Sequence, residues 1–183
     1  MHYQDTPQKS DFLKSHIRDV PDFPKPGILF KDITPLLANF AARQMVIEEI
    51  VKQFKDESIE VVAGIEARGF LFGTLIANAL QVPFAPIRKF GKLPYKKKVE
   101  HYELEYGTSS IEIHDDAIAK NARVLIHDDL LATGGTAMAA GALVGQTGGI
   151  VVGFSFIINL SFLSGETNLT RQFGVKPQSV LTY

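Results

Sequence analysis

Residues 123–136 read RVLIHDDLLATGGT. A short apolar run at 123–126 delivers two adjacent carboxylates, Asp128 and Asp129. The chain then turns through Ala132, Thr133, Gly134, Gly135 and Thr136 into a segment of small residues. Glycines let a backbone fold tightly enough for several N–H groups to converge. A helix N-terminus adds partial positive charge, and two threonines add hydroxyl donors, so the turn suits a phosphate dianion. It contains no lysine and is therefore not the Walker loop of a nucleoside triphosphatase. Carboxylates repel phosphate but accept hydrogen bonds from sugar hydroxyls. The combination fits a ribose 5-phosphate, with its phosphate in the turn and its 2′- and 3′-hydroxyls on Asp128 and Asp129. A Gly-Gly turn alone would be an ordinary capped turn; the order of strand, acid pair and T-G-G-T sets this one apart.

Such a site needs elements to aim it. The run at 61–65 has the β-branched character of a buried parallel strand, and 84–88, 123–126 and 150–158 resemble it. Helices are expected at 70–80 and about 136–146, each after a loop. Repeated strand-loop-helix units argue for a parallel sheet with helices on both faces, whose ligands bind at the C-terminal ends of the strands. Ahead of these units, Phe12, Leu13, His16, Ile17 and Val20 recur at helical spacing, predicting a helix over about 7–18 with Thr6 as its N-cap. VPDFPKPG, residues 20–27, must extend or turn, and Thr34-Pro35 opens a short turn. Ala42, Met45, Val46, Ile50 and Phe54 mark a second amphipathic helix. Between Lys89 and Ile118 the rhythm breaks. Residues 90–101 are polar and basic, 102–114 look like an antiparallel ribbon, and an insertion of this kind is often a mobile active-site cover.

The chain has 183 residues, 45% of them hydrophobic and 21% charged, and a net charge of −1. That is one globular domain, with no electrostatic reason to expect nucleic acid or an anionic membrane as partner. It contains no cysteine, which excludes disulfides, thiolate nucleophiles and cysteine-zinc sites. The first dozen residues are polar, without the apolar core of a signal peptide, and no apolar run is long enough to cross a bilayer. A cytoplasmic protein is the expectation. His114-Asp115-Asp116 could mimic a metal site, but Asp115 reads better as the cap of a short helix. The histidines show no ligand spacing, and Phe70, Leu71 and Phe72 read as core.

The 123–136 stretch resembles the phosphoribosyl-pyrophosphate signature of the type I phosphoribosyltransferases. FPKPGILFKDIT (23–34), GIEARGFLFG (64–73), RKFGKLP (88–94) and YELEYG (102–107) are similar, in order, to the adenine-specific branch of that family. The resemblance runs from about residue 12 to 160 and more weakly to the end. It implies an α/β fold, a parallel sheet flanked by helices within a single domain spanning 1–183. A small N-terminal hood (about 1–35) and a mobile loop and ribbon insertion (about 90–114) would complete it. It also implies a reaction, adenine plus phosphoribosyl pyrophosphate giving AMP and pyrophosphate with Mg2+, in a homodimer.

From the resemblance follow further roles. Arg68 would offer a planar fork to pyrophosphate, in a loop with Glu66 and Ala67 whose amides are exposed by a non-proline cis peptide. A cation at a helix start opposes the macrodipole, which itself favours a functional reading. Arg88, Lys89 and Lys92 would bind pyrophosphate as well, some of them across a dimer interface, whereas Lys96, Lys97 and Lys98 read as solvated. Glu105 would move the adenine proton and Tyr106 would touch ribose or phosphate; Glu103 is the natural decoy for Glu105. Leu29 and Phe30 would supply a face and backbone groups for the base. Lys31 stands where the family usually has arginine, keeping the cation but losing the fork. The metal is expected through the pyrophosphate, with no protein ligand set of its own. A transferase for another base, or a sensor that keeps the fold, are the alternatives. A DNA-binding sensor would need an added helix-turn-helix, for which the N-terminal residues are too few, and an RNA-binding one a basic face. Arg68, Lys89 and Glu105 favour catalysis.

Overall fold

The computed structural model describes residues 7–103 and 108–183. They form two compact units, one ending at Glu48 and one starting at Glu49.

In the first unit, α1 (Pro7–Lys14) precedes β1 (Arg18–Pro21) and β2 (Leu29–Asp32). α1 stops short of residue 18 because polar side chains close its last turn. Ser15 Oγ donates to Phe12 O at 2.7 Å, and the His16 ring sits 2.8 Å from the same oxygen. Thr6, the expected cap, lies outside the described residues. β1 and β2 pair antiparallel, with Asp19 opposite Lys31 and Pro21 opposite Leu29. The proline-rich segment connects them and contains a cis Phe23–Pro24 bond. Thr34-Pro35 opens a short helix, α2 (Thr34–Ala38), rather than a bare turn. α3 (Phe40–Gln53) follows and runs past Glu48 into the second unit, and Ala42, Val46 and Ile50 are buried along it as their spacing requires.

The second unit is built on β3 (Val61–Ile65), α4 (Gly69–Leu80), β4 (Phe84–Lys89), β5 (Lys97–Glu103), β6 (Thr108–His114), β7 (Arg123–Leu131), α5 (Gly135–Thr147), β8 (Ile150–Asn159), α6 (Gly165–Phe173) and β9 (Gln178–Thr182). Seven strands form one mixed sheet in the order β5-β6-β4-β3-β7-β8-β9. β3, β4, β7, β8 and β9 run parallel; β6 is antiparallel to β4 and β5 to β6. The ribbon is thus the edge of the main sheet, and it begins at Lys97 rather than at residue 102. Val62, Ala63, Val124, Ile126, Phe154 and Phe156 are among the buried residues at its centre.

The topology fixes where a ligand binds. From β3 the chain crosses through α4 to β4 on one side; from β7 it crosses through α5 to β8 on the other. Right-handed crossovers in opposite directions put α4 and α5 on opposite faces. The neighbours β3 and β7 are therefore the switch point, and the crevice opens at their C-terminal ends.

Two further sequence expectations are corrected. β7 runs on to Leu131, so Asp128 and Asp129 lie inside the strand, not after it; apolar Leu130 and Leu131 continue the ladder with β8. Residues 115–118 form a turn, so Asp115 caps no helix. α6 and β9 carried no strong sequence signal; β9 completes one sheet edge, and α6 reaches the turn after β7.

Candidate functional site

At the switch point the loop after β7 leads into α5. Gly134 takes φ 87°, and no side chain caps the helix. The first-turn N–H groups are thereby left to a ligand. They face a cavity of about 90 Å³ lined by Asp128, Leu130, Leu131, Ala132, Thr133, Gly134, Gly135, Thr136, Ala137 and Phe156. Every residue of the predicted phosphate turn is in that lining. Asp128 joins it; Asp129 does not, because its side chain is turned to Arg68.

Arg68 comes from the loop after β3, the other strand of the switch point. Its Nε lies 3.0 Å from Asp129 Oδ2, and the Asp129 side chain is only 4% exposed. Burial, reinforced by the Asp129 charge, pushes the Asp128 carboxyl well above the usual carboxylate range. Burial raises Asp129 too, with Arg68 opposing. The pair therefore holds protons more tightly than exposed carboxylates and, when ionised, accepts strongly from hydroxyl donors. The Glu66–Ala67 peptide is cis, as the family resemblance implied.

Arg88, at the end of β4, makes a two-pronged contact with Glu66: Nε to Oε2 and Nη2 to Oε1, both 3.2 Å. Glu66 Oε2 also accepts the Lys89 N–H at 2.9 Å. Burial tends to raise the Glu66 carboxyl, but Arg88, the Lys89 N–H and Lys92 outweigh it and leave it below its ordinary value. Arg88 and Lys92 thus have Glu66 as their counter-charge at the end of β4, Lys89 meets it through its backbone N–H, and Arg68 pairs with Asp129 instead.

The turn after β7 has a support that sequence reasoning missed. Asn168 on α6 donates from Nδ2 to Thr133 O at 3.1 Å. A Cβ on Gly165 would fall 2.3 Å from Ala132 O, and one on Gly134 would fall 3.2 Å from Gly165 Cα. The two backbones meet only because both positions are glycine. On the ribbon side, Thr136 Oγ1 donates to the Tyr102 hydroxyl at 3.3 Å. A second omission is Glu112, fully buried between Ile111 and Ile113. The isolated SGETN after the last long strand, and one acid inside an I-E-I triplet, were the available signals.

Lys97 corrects an expectation. It is not a solvated lysine: Nζ lies 2.9 Å from Glu112 Oε2, whereas Lys96 and Lys98 are exposed. Phe72 is core as expected, but Leu71 is 44% exposed. Glu105 and Tyr106 lie outside the described residues. Leu29, Phe30 and Lys31 belong to β2 of the first unit. Leu29 is half exposed, Phe30 meets Phe23 edge-on at 5.1 Å, and the buried Lys31 ammonium is 2.6 Å from Asp19. Among the described residues, no group of three acidic or histidine side chains gathers as a metal cage.

The pattern of the phosphoribosyl transferase domain matches residues 32–159. The adenine phosphoribosyltransferase of Sorangium cellulosum is 51% identical over 163 residues, 89% of this chain and 82% of that protein. The chain belongs to the adenine phosphoribosyltransferase family. Solved structures of the family agree. That from Rhodothermus marinus superposes with a TM-score of 0.91 at 48% identity, covering 97% of this chain and all of the other. That from Saccharomyces cerevisiae, complexed with adenine and an imino-altritol bisphosphate, gives 0.88 at 37% identity, covering 96% of this chain and all of the other. The switch-point cavity occupies the domain that defines these phosphoribosyltransferases.

Proposed function

We infer that this cleft carries out the reaction of its family: the 5-phosphoribosyl group passes from phosphoribosyl pyrophosphate to adenine, giving AMP and pyrophosphate. The observation that carries the reading is the uncapped N-terminus of α5, opening into a cavity beside half-buried Asp128 and buried Asp129. The 5′-phosphate takes the amides of 133–136 and the hydroxyls of Thr133 and Thr136. Asp128 accepts a ribose hydroxyl; Asp129 takes the other or orients Arg68. As the C1′–oxygen bond breaks, positive charge grows on the ribose and negative charge on the leaving pyrophosphate. Arg68, Arg88, Lys89, Lys92 and the amides of the 66–68 loop stabilise the latter. The Asp128–Asp129 pair lies near the former.

The base contact falls to the backbone of Leu29 and the ring of Phe30, with Lys31 as a strut of the ribbon rather than a base ligand. Glu105 takes the adenine proton, and Tyr106 contacts ribose or phosphate. Members of the family generally use Mg2+. In this chain the ion would be held through pyrophosphate oxygens and water; bound there, it would neutralise the leaving group. The 183 residues act as one phosphoribosyltransferase domain, and a cytoplasmic homodimer is the state we assign to it. Among the described residues, no helix is long and apolar enough to cross a membrane.

The test is base choice. Purified protein is incubated with phosphoribosyl pyrophosphate, Mg2+ and adenine, hypoxanthine, guanine or orotate, and nucleotide is measured. A site whose polar groups match adenine's N6 donor and N1 acceptor rejects hypoxanthine by factors on the order of 10⁴. Comparable turnover of adenine and hypoxanthine would refute the adenine assignment and leave the ribosyl-phosphate site standing.

A further inference from the structure

We propose that Glu112, together with Lys97, is a positioning residue for pyrophosphate: a buried carboxylate that clamps the Lys92 main chain so that Lys92 and Arg88 converge on one anion. The inference rests on the assignment of Arg88 and Lys92 to pyrophosphate made above.

Glu112 is wholly buried, yet it is a charge on an apolar strand. Strand alternation would put it on the face opposite its two isoleucine neighbours, and it is the turn at 90–96 that covers that face. Its Oε1 accepts the N–H groups of Lys92 at 2.8 Å and Leu93 at 2.6 Å. Lys97 closes the clasp, with Nζ 2.9 Å from Glu112 Oε2 and donating to Leu93 O at 3.0 Å. Burial pushes the Glu112 carboxyl up, but Lys97 and the N–H groups of 91–93 more than offset this, so it stays ionised. A turn that needed only to be closed would have backbone partners or water. A buried charge is a costly substitute unless its geometry matters.

The geometry leads to the cationic group. Glu112 and Arg88 face each other directly across the β4–β6 ladder. Both attach to Lys92: Glu112 accepts its N–H, and Arg88 Nη1 donates to its carbonyl at 3.3 Å. Arg88 in turn grips Glu66, which accepts the Lys89 N–H. Glu112 therefore connects, through hydrogen bonds and ion pairs, to three of the four basic residues assigned to pyrophosphate, Arg88, Lys89 and Lys92. None of its hydrogen bonds or ion pairs described here reaches the phosphate turn at 132–136. A defect at Glu112 should accordingly be selective for the ligand end that AMP lacks.

The experiment measures binding of Mg2+-pyrophosphate, phosphoribosyl pyrophosphate and AMP to the full chain and to Lys92→Ala, Lys97→Met, Glu112→Gln, Glu112→Ala and the double variant Lys92→Ala/Glu112→Gln. Glu112→Ala and Lys97→Met should weaken both pyrophosphate ligands by about tenfold, with AMP affinity within about twofold of the parent. Glu112→Gln should fall between, because its amide oxygen still accepts the two N–H groups. In the Lys92→Ala background Glu112→Gln should add less than half its own effect, since the two act through one group. Should Glu112→Ala not fold, Glu112→Gln and Lys97→Met decide. Equal losses for AMP and pyrophosphate, or full additivity with Lys92→Ala, would make Glu112 a general support and overturn the proposal. If Lys92→Ala weakens pyrophosphate while Glu112→Gln and Lys97→Met do not, the proposal alone fails. If Lys92→Ala changes nothing, the assignment of Lys92 fails and takes the proposal with it.

Discussion

Arg68 and Gly134 illustrate how differently two site residues can matter. Arg68 is the partner of buried Asp129 and, in the function proposed above, a ligand for pyrophosphate. Its replacement by alanine should cost phosphoribosyl pyrophosphate binding roughly 1.5–3 kcal/mol, the worth of hydrogen bonds to a charged group. AMP, lacking pyrophosphate, should bind nearly as before. Titration calorimetry with both ligands checks this, and equal losses would place Arg68 on the 5′-phosphate or on the fold. Gly134→Val loses both ligands by another route. With φ 87° and Gly165 Cα 3.2 Å from the new Cβ, the valine breaks the loop itself, so the melting temperature should drop with affinity. Thr133→Ala/Thr136→Ala is the cleaner probe of the cradle: it should weaken phosphoribosyl pyrophosphate and AMP alike while melting changes little.

Among the elements, α6 has the least conspicuous sequence and a direct hold on the phosphate turn. Asn168→Ala removes the 3.1 Å bond to Thr133 O. One neutral hydrogen bond is worth about 0.5–1.5 kcal/mol, so AMP and phosphoribosyl pyrophosphate should each bind roughly 2–10-fold more weakly, with pyrophosphate alone unaffected. Unchanged AMP affinity would show that the turn is held by its own glycines. The periodic elements were legible: 61–65 emerged as β3, and the expected helices at 70–80 and 136–146 appeared within a residue or so. α6 was not, because its role depends on Gly165 touching Ala132, a contact that no local pattern encodes. Nor did the ribbon's apolar and polar residues reveal that β6 would extend the sheet beside β4.

At the scale of the whole molecule, acid sensitivity is built into the sheet. His127 is fully buried on β7, hydrogen-bonded through Nδ1 to Ser155 Oγ at 2.8 Å, and burial pushes it down to about 3 from an ordinary value near 6.5. Below about pH 6.5 the unfolded chain takes up a proton that the folded chain refuses until about pH 3. Its contribution is therefore lost as pH falls, with a limiting slope of about 1.4 kcal/mol per pH unit. Asp128 works in the opposite sense: its raised carboxyl lowers stability as pH climbs above the usual carboxylate range. Subtracting stability curves of the parent and His127→Leu isolates the histidine. The difference should grow steadily in favour of the variant from pH 6.5 to 4.5, and a pH-independent difference would show that His127 is protonated in the folded state.

The sequence by itself determined the Gly-Gly turn, the acid pair, the parallel core and the family, because each is written in neighbouring residues. Gly-Gly with threonines shapes a local backbone, and β-branched runs bury themselves in any sheet. Tertiary structure alone decided which charges meet. Arg68, in the loop after β3, and Asp129, on β7, are brought together at the switch point. Lys97 was read as solvated and is committed to Glu112. Lys31 is engaged by Asp19 across a two-stranded ribbon. Charge pairing depends on distances of a few ångströms between residues far apart in the chain. Those distances exist only once β3, β7, β4 and β6 are in register.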